Sequence, residues 1–305
     1  MSTAVVEVKD FRKSYGDLVA VDGISFDVQQ GEIFGLLGPN GAGKTSTLES
    51  LEGLRQPDGG TLRVAGIDPT SEPGKLRKVV GVQLQSASLP ETMTPSEAMQ
   101  FFCAYHSLSP RRDLLSRLGL QEKVETQYCH LSAGQQRRLA LALAVAHEPP
   151  VLLLDEPTAG LDVGSRVELH SLIRELQAKA TANILATHDM AEHETMADRV
   201  AILLGGKLVT IGTPMEITAT GAGLTKISLR TEAGTLLSAQ PCLPAVKQVL
   251  VKQDFVVFFS TDIARTIPTL IAHLETIEDS LVDLRVERPS LEDRFMEITT
   301  RGNAQ

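Results

Sequence analysis

Nine consecutive residues, Gly38, Pro39, Asn40, Gly41, Ala42, Gly43, Lys44, Thr45 and Ser46, contain the spacing G-x-x-x-x-G-K-[ST]. The glycines let the backbone turn so tightly that successive N–H groups converge on an anion. A helix starting at the end of the loop adds its positive end at the same point. Lys44 is expected to reach the outer phosphates of a nucleotide, and the Thr45 hydroxyl is a ligand for Mg²⁺. A second candidate group closes the apolar run VLLLDE, residues 151–156. Asp155, emerging at the carboxyl end of a buried strand, can hold the magnesium ion through water. Glu156 beside it is placed to orient or deprotonate an attacking water. On its own, a carboxylate pair ending a strand also reads as the cap of a following helix. Beside a phosphate loop it points to phosphoanhydride hydrolysis.

These groups need strands and helices to carry them. EIFGLLG reads as a strand running into the glycine-rich turn and then a helix, an α/β unit. AVVEVKDF and ISFDVQQ alternate as strands ahead of it, and VVGVQLQ is a further short strand. PVLLLDEP is buried by its unbroken apolar run. A helix is predicted over 163–179, followed by strands NILATHD and VAILLGGKLV. Residues 1–218 are therefore expected to form one α/β nucleotide-binding domain with a helical insertion near 86–148. A Thr/Ala/Gly-rich linker follows at 219–223. Beyond it KISLRTE, VKQVLVKQDFVVFFST and LVDLRVE alternate as strands, DIARTIPTLIAHLETI reads as a helix, and a last helix begins near Pro289. That order predicts a small α+β domain over 224–305. In its tail, Ser290 and Asp293 cap a helix whose Leu291, Phe295 and Met296 are expected to pack inward.

With 42% hydrophobic and 22% charged residues, the 305-residue chain has a globular composition. A net charge of −9 argues against holding nucleic acid by overall charge. Cys103, Cys129 and Cys242 are scattered, with no CxxC pair, which fits a reducing compartment and argues against a metal site. Glu7, Lys9 and Asp10 interrupt the N-terminus, so no signal-peptide core is expected there, and no stretch is long and apolar enough to span a bilayer.

One stretch, LSAGQQRRLALALA from Leu131 to Ala144, carries no carboxylate, histidine or thiol. Ser132 opens an amphipathic helix there and reads as its N-cap, which is also an anion site. The order of phosphate loop, LSAGQ, LLLDEP, GLD and THD resembles the ATP-binding subunits of the ABC transporter superfamily over roughly residues 4–215. The resemblance implies a P-loop ABC ATPase fold, with a RecA-like core, an antiparallel β subdomain and a helical subdomain, that uses ATP and Mg²⁺. It implies a head-to-tail dimer in which Ser132, Gly134 and Gln135 of one copy meet the γ-phosphate held by the other. Ala133 departs from the commoner LSGGQ and is expected to alter affinity rather than abolish function.

By the same resemblance, Tyr15 stacks on adenine, although a tyrosine in a strand is more often ordinary packing. Gln85 touches Mg²⁺ and the water, with Gln83 a minor alternative. Asp162 crosses the dimer interface and His188 contacts the γ-phosphate. The catalytic set is then Lys44, Gln85, Glu156 and His188, with Thr45, Gln85 and Asp155 toward the metal. FGLLGPNGAGKTSTLESLEGL, LPETMTPSEAMQFFCAYHSL and the tail RPSLEDRFMEITT are similar to bacterial daunorubicin-resistance-type export ATPases. That implies a separate membrane permease, a peripheral position on the cytoplasmic face, and a cargo such as a drug, antibiotic or lipid-like molecule. Leu89, Met93, Phe101, Phe102 and Tyr105 are candidates to line the permease's docking groove, although about half would serve equally as core of the insertion. Two rivals are a soluble ABC ATPase remodelling a nucleic acid or protein complex, and a binding module with a degenerate ATPase. Acidity and the absence of zinc-binding or coiled-coil insertions count against the first. The presence of Lys44, Asp155, Glu156 and His188 counts against the second.

Overall fold

Alternating apolar residues make two twelve-residue strands, β1 (Ala4–Tyr15) and β2 (Leu18–Gln29), which pair antiparallel across a turn at Gly16, φ 58°. The computed structural model describes residues 4–84, 89–219 and 224–302. In chain order the first unit continues with β3 (Ile33–Leu37), α1 (Lys44–Leu51), β4 (Gly59–Val64), α2 (Pro73–Leu76) and β5 (Val80–Gln83). Then come α3 (Pro95–Tyr105), α4 (Arg112–Arg117), α5 (Ala133–Val145), β6 (Val151–Asp155), α6 (Val163–Ala178), β7 (Ala182–Thr187), α7 (Met190–Met196), β8 (Arg199–Leu204) and β9 (Lys207–Gly212).

The central sheet runs β5-β6-β7-β3-β8-β9, parallel except for the last pair. Its β3, β6 and β7 are buried at every residue, the pattern of parallel strands covered on both faces. The site depends on this order. Adjacency of β6, β7 and β3 brings the chain after Leu37, the carboxylates ending β6 and the turn after Thr187 to one edge of the sheet, at the strands' carboxyl ends. A second sheet, β2-β1-β4, packs its Val6, Val8, Phe11 and Ile24 with Leu48 and Leu51 of α1 in one core. The other face is covered by the helices of the insertion. There Met99 and Cys103 of α3 and Leu139, Leu141 and Leu143 of α5 pack with Leu152 and Leu154 of β6. Each large apolar side chain so buried contributes roughly 1.5–3 kcal/mol of transfer free energy.

Helix starts follow their local chemistry. Thr94 caps α3 in a reciprocal box with Glu97, after which Pro95 tolerates the first helical position. Ser132 and Gln135 form the same box at α5. VAILLGGKLV, expected as one strand, is instead the hairpin β8–β9. Gly205 and Gly206 take φ of 56° and 77° at its two-residue turn, a conformation that glycine adopts without a Cβ clash.

The chain divides into two units at Pro214/Met215, and α8 (Pro214–Ala219) spans that point. Of the expected linker, the residues from Thr220 to Gly223 lie outside the described ones. The second unit holds β10 (Thr225–Thr231), α9 (Thr235–Ser238), β11 (Val246–Lys252), β12 (Phe255–Ser260), α10 (Ile263–Thr276), β13 (Leu281–Glu287) and α11 (Leu291–Gly302). Its antiparallel sheet runs β11-β12-β10-β13, and Ile227, Leu229 and Phe258 pack with Leu270 and Leu274 of α10 in a separate core. Ser290 and Asp293 form the expected cap of α11, Asp293 N–H to Ser290 Oγ at 3.1 Å and Ser290 N–H to Asp293 Oδ2 at 2.9 Å. Leu291 and Phe295 are buried, but Met296, expected inward, is 59% exposed. Residue 296 stands about 140° round the helix from Leu291 and about 100° from Phe295, at the edge of the buried stripe.

Candidate functional site

The phosphate loop folds into a bare cradle because Gly38 and Gly43 have nowhere to put a side chain, while Gly41 takes φ 80°. A Cβ at Gly38 would lie 2.5 Å from the Leu203 carbonyl oxygen, and one at Gly43 would lie 2.6 Å from that of Ala20. Gly43 also takes φ 101°, and from it α1 begins at Lys44. The Lys44 ammonium lies inside the loop, donating to the carbonyls of Gly38 at 2.6 Å and Pro39 at 3.2 Å. Burial lowers its pKa, against the opposing pull of Glu156 and Asp155. The loop is thus a set of backbone donors with a retained cation, shaped for an anion.

Across it stand the β6 carboxylates. Thr45 Oγ1 donates to Asp155 Oδ2 at 3.3 Å. Burial pushes the Asp155 carboxyl above its ordinary value; the Thr45 hydroxyl opposes this, and the neighbouring Glu156 charge adds to it. A hydroxyl and a carboxylate at one point are hard oxygen donors of the kind Mg²⁺ takes, and waters and phosphates would complete its shell.

Glu156 turns out of the strand at φ 50°, and its N–H still reaches the Ala186 carbonyl at 2.8 Å. Its carboxylate is held by the turn after β7. Thr187 Oγ1 donates to Oε2 at 3.2 Å and the His188 N–H to Oε1 at 3.1 Å, with His188 Nδ1 2.8 Å from Oε1. With Nδ1 turned to the carboxylate, Nε2 is the ring nitrogen left to face a ligand. The Glu156 side chain is largely covered, whereas that of His188 is 69% exposed.

A cleft of about 230 Å³ brings Lys44, Thr45, Asp155 and Glu156 together, lined by these with Tyr15, Leu18, Ala20, Asn40 to Gly43 and Ser46; Gly38, Pro39 and His188 are not in its lining. Tyr15 OH reaches Ser46 Oγ at 3.3 Å. Its ring lies at the cleft's edge, half exposed, with the Lys13 ammonium 5.4 Å from its centroid. A nucleotide-sized anion with a flat base matches this lining.

The family model for ABC transporters matches residues 21–159. Over nearly its whole length the chain is similar to the Nod factor export ATP-binding protein I of Ralstonia nicotianae. The two are 34% identical over 98% of this chain and 95% of that one. The chain belongs to the ABC transporter family. It is 33% identical to the daunorubicin resistance ATP-binding protein DrrA3 of Streptomyces coeruleorubidus, over 98% of this chain and 97% of that one. A solved structure described as the ATP binding subunit of an ABC transporter matches with TM-score 0.67 at 28% identity, covering 70% of this chain and 92% of that one. The fold is that of the P-loop ABC ATPases, and the chain is an ATP-binding, ATP-hydrolysing subunit of the exporter type.

The remaining family positions lie elsewhere in the chain. Ser132, Gly134, Gln135 and Asp162 are absent from the cleft lining. Ser132 and Gln135 are joined in the α5 cap, Gln135 N–H to Ser132 Oγ at 3.3 Å. Asp162 caps α6 through the Ser165 N–H at 2.9 Å and hydroxyl at 2.7 Å. Gln85 lies outside the described residues. Gln83, its minor alternative, is buried at the end of β5. A second, larger cavity of about 530 Å³ is lined in part by Leu89, Phe101, Phe102 and Tyr105, with Glu52, His106 and His147. Met93 is not in that lining; it packs against the helical core instead.

Sequence reasoning missed Thr187, Thr158, Glu192 and His193. His193 is buried on Gly35, where a Cβ would come within 2.4 Å of its Nδ1. A second histidine five residues after His188 was the available signal.

Proposed function

We propose that this subunit is the motor of an exporter, two copies closing head to tail over two ATP molecules. The observation that carries this reading is the convergence of Lys44, Thr45, Asp155 and Glu156 on one cleft, with Glu156 held by His188. Thr45 and Asp155, with Gln85, would hold Mg²⁺, which when bound neutralises charge on the phosphates. Backbone N–H groups of the loop and Lys44 bind the β- and γ-phosphates. Glu156, oriented by Thr187 and the His188 N–H, takes a proton from water aimed in line at the γ-phosphorus. His188 then stabilises the charge left on the departing phosphoryl oxygens.

A γ-phosphate in this cleft has one side still to be covered. Ser132 and Gly134 supply a helix N-terminus for it from the second copy, with Asp162 beside that interface. Space inside the chain does not require a glycine at 134, because a Cβ there would meet its nearest neighbours only at 3.6 Å. Close approach by an outside group does give it a reason. A separate membrane permease would dock in the cavity that Leu89, Phe101, Phe102 and Tyr105 line, placing this subunit peripherally on the cytoplasmic face. Among the described residues no helix is long and apolar enough to cross a membrane. The cargo class, a drug, antibiotic or lipid-like molecule, is what the sequence resemblance implies; the relatives are named for Nod factor export and daunorubicin resistance, and the choice of cargo belongs to the permease.

Glu156→Gln tests the reading. It should lower multiple-turnover hydrolysis by about 10²–10⁴-fold, keep ATP binding, and hold a dimer in ATP that size-exclusion chromatography resolves. Ordinary turnover by that variant would refute the role given to Glu156. Purification of the tagged chain from detergent-solubilised membranes should bring a stoichiometric polytopic partner; recovery with ribosomal proteins or nucleic acid would refute the permease.

A further inference from the structure

Glu192 is a carboxylate that the hydrolytic scheme does not use, yet it is only 4% exposed. It lies in the first turn of α7, the helix that begins directly after His188. Both of its oxygens are engaged. Thr158 Oγ1 donates to Oε2 at 2.9 Å, and His170 Nε2 lies 2.9 Å from Oε1. Thr158 is itself buried, two residues after Glu156 in the loop leading to Asp162. His170 stands on α6, the helix that Asp162 caps. A second tie joins the same two helices, Arg166 Nη1 lying 3.7 Å from Asp189 Oδ2. From the other side Arg137 of α5 donates to the Ala159 carbonyl, anchoring the loop to the helix that Ser132 opens.

We infer that Glu192 is a positioning residue for ATP hydrolysis, holding the His188 turn in register with the Glu156 loop and the Asp162 helix. The inference rests on the reading of Glu156 and His188 as the reacting groups. Burying a carboxylate is costly unless its oxygens are bonded, and these two bonds run to the loop that follows Glu156 and to α6, the helix that Asp162 caps. The 2.8 Å contact between Glu156 and His188 joins the ends of the β6 and β7 strands. Glu192 braces the same two segments from behind, through Thr158 and α7. Without the carboxylate, α7 keeps its cap at Asp189 but loses its tie to the loop, and His188 is free to shift relative to Glu156. Displacements of about 1 Å in such constellations cost on the order of a hundredfold in rate. Arg137 and Glu192 together also make the loop the physical link between the α5 end that serves one nucleotide and the histidine that serves the other.

The test is steady-state ATP hydrolysis, ATP binding and thermal unfolding of the full-length chain carrying Glu192→Ala, Glu192→Gln or Thr158→Val, beside wild type and Glu156→Gln. Glu192→Ala should lower kcat roughly ten- to hundredfold while ATP affinity stays within about twofold. Glu192→Gln keeps an acceptor for Thr158 and offers an amide to His170, so it should recover most of kcat. Thr158→Val should lower kcat several-fold alone and add little on top of Glu192→Ala, the non-additivity of residues acting as a unit. If Glu192→Ala fails to fold, Thr158→Val decides, because it deletes one hydroxyl at nearly constant volume. An unchanged kcat in the folded variants, or a fall in unfolding temperature with no fall in kcat, overturns the inference. Ordinary turnover by Glu156→Gln would instead overturn the underlying assignment, and this inference with it.

Discussion

Glu52, one residue past the end of α1, is held in a poor environment for a carboxylate. Its Oε2 is buried with no hydrogen-bond partner among the described residues. Burial, then the charges of Asp155 and Glu49, push its pKa up to about 8. Between the ordinary value of 4.5 and about 8, the folded chain holds a proton that the unfolded chain has released. Stability must therefore fall as pH rises through that window. Glu52→Gln has the same shape and no charge to desolvate. Its unfolding free energy should match wild type near pH 5 and exceed it near pH 8.5, by an amount on the order of a few kcal/mol at most. Parallel pH profiles for the two proteins would refute a buried, protonated Glu52. The cleft's own residues differ in a useful way. Lys44, Thr45, Asp155 and Glu156 were legible because loop chemistry and a strand-end carboxylate pair are local patterns. Glu192 was not, because its partners Thr158 and His170 lie 34 and 22 residues away.

At the scale of elements, α5 shows one local structure serving two purposes. Its reciprocal Ser132–Gln135 box satisfies N–H groups that the helix leaves unpaired, and the same end is proposed to receive a phosphate from a second copy. Ser132→Ala separates the two. Loss of a cap costs about 1 kcal/mol, and the buried Leu139, Leu141 and Leu143 keep the helix in place. If the cap were its only role, turnover per folded molecule would not move. With the role in the second site, kcat/KM for ATP should fall roughly tenfold or more, beyond anything a cap explains. Helices and buried parallel strands were readable from period and apolar runs. The β8–β9 hairpin was misread although Gly205-Gly206 stood in the middle of the run, because continuous hydrophobicity on both sides of a turn looks like one strand. The four-residue α9 has no such period to read.

The whole molecule contains two units with separate cores, so its unfolding need not be a single transition. A buried carboxylate in the second unit allows this to be examined without touching the ATP cleft. Asp279 accepts from the Thr231 hydroxyl at 2.7 Å, the Ala233 N–H at 2.9 Å and the Thr235 N–H at 3.1 Å, and from the Thr235 hydroxyl as well. Burial alone would raise its pKa. The hydrogen bonds from Thr235, Thr231 and the backbone outweigh that and hold it well below the usual carboxylate range. They tie the turn after β10 to the segment between α10 and β13. A depressed carboxylate contributes stability that is present above its unfolded pKa, near 4, and is lost as pH falls below that. Asp279→Ala should therefore lower the unfolding temperature of the second unit at neutral pH and flatten that unit's loss of stability below about pH 4. ATP binding by the first unit should not change, since every residue lining its cleft precedes Pro214. Calorimetry with and without ATP distinguishes the outcomes, because bound ligand raises only the transition of the unit that holds it. One transition shifting as a whole in both the variant and the ATP complex would show that the two cores unfold as a single cooperative body.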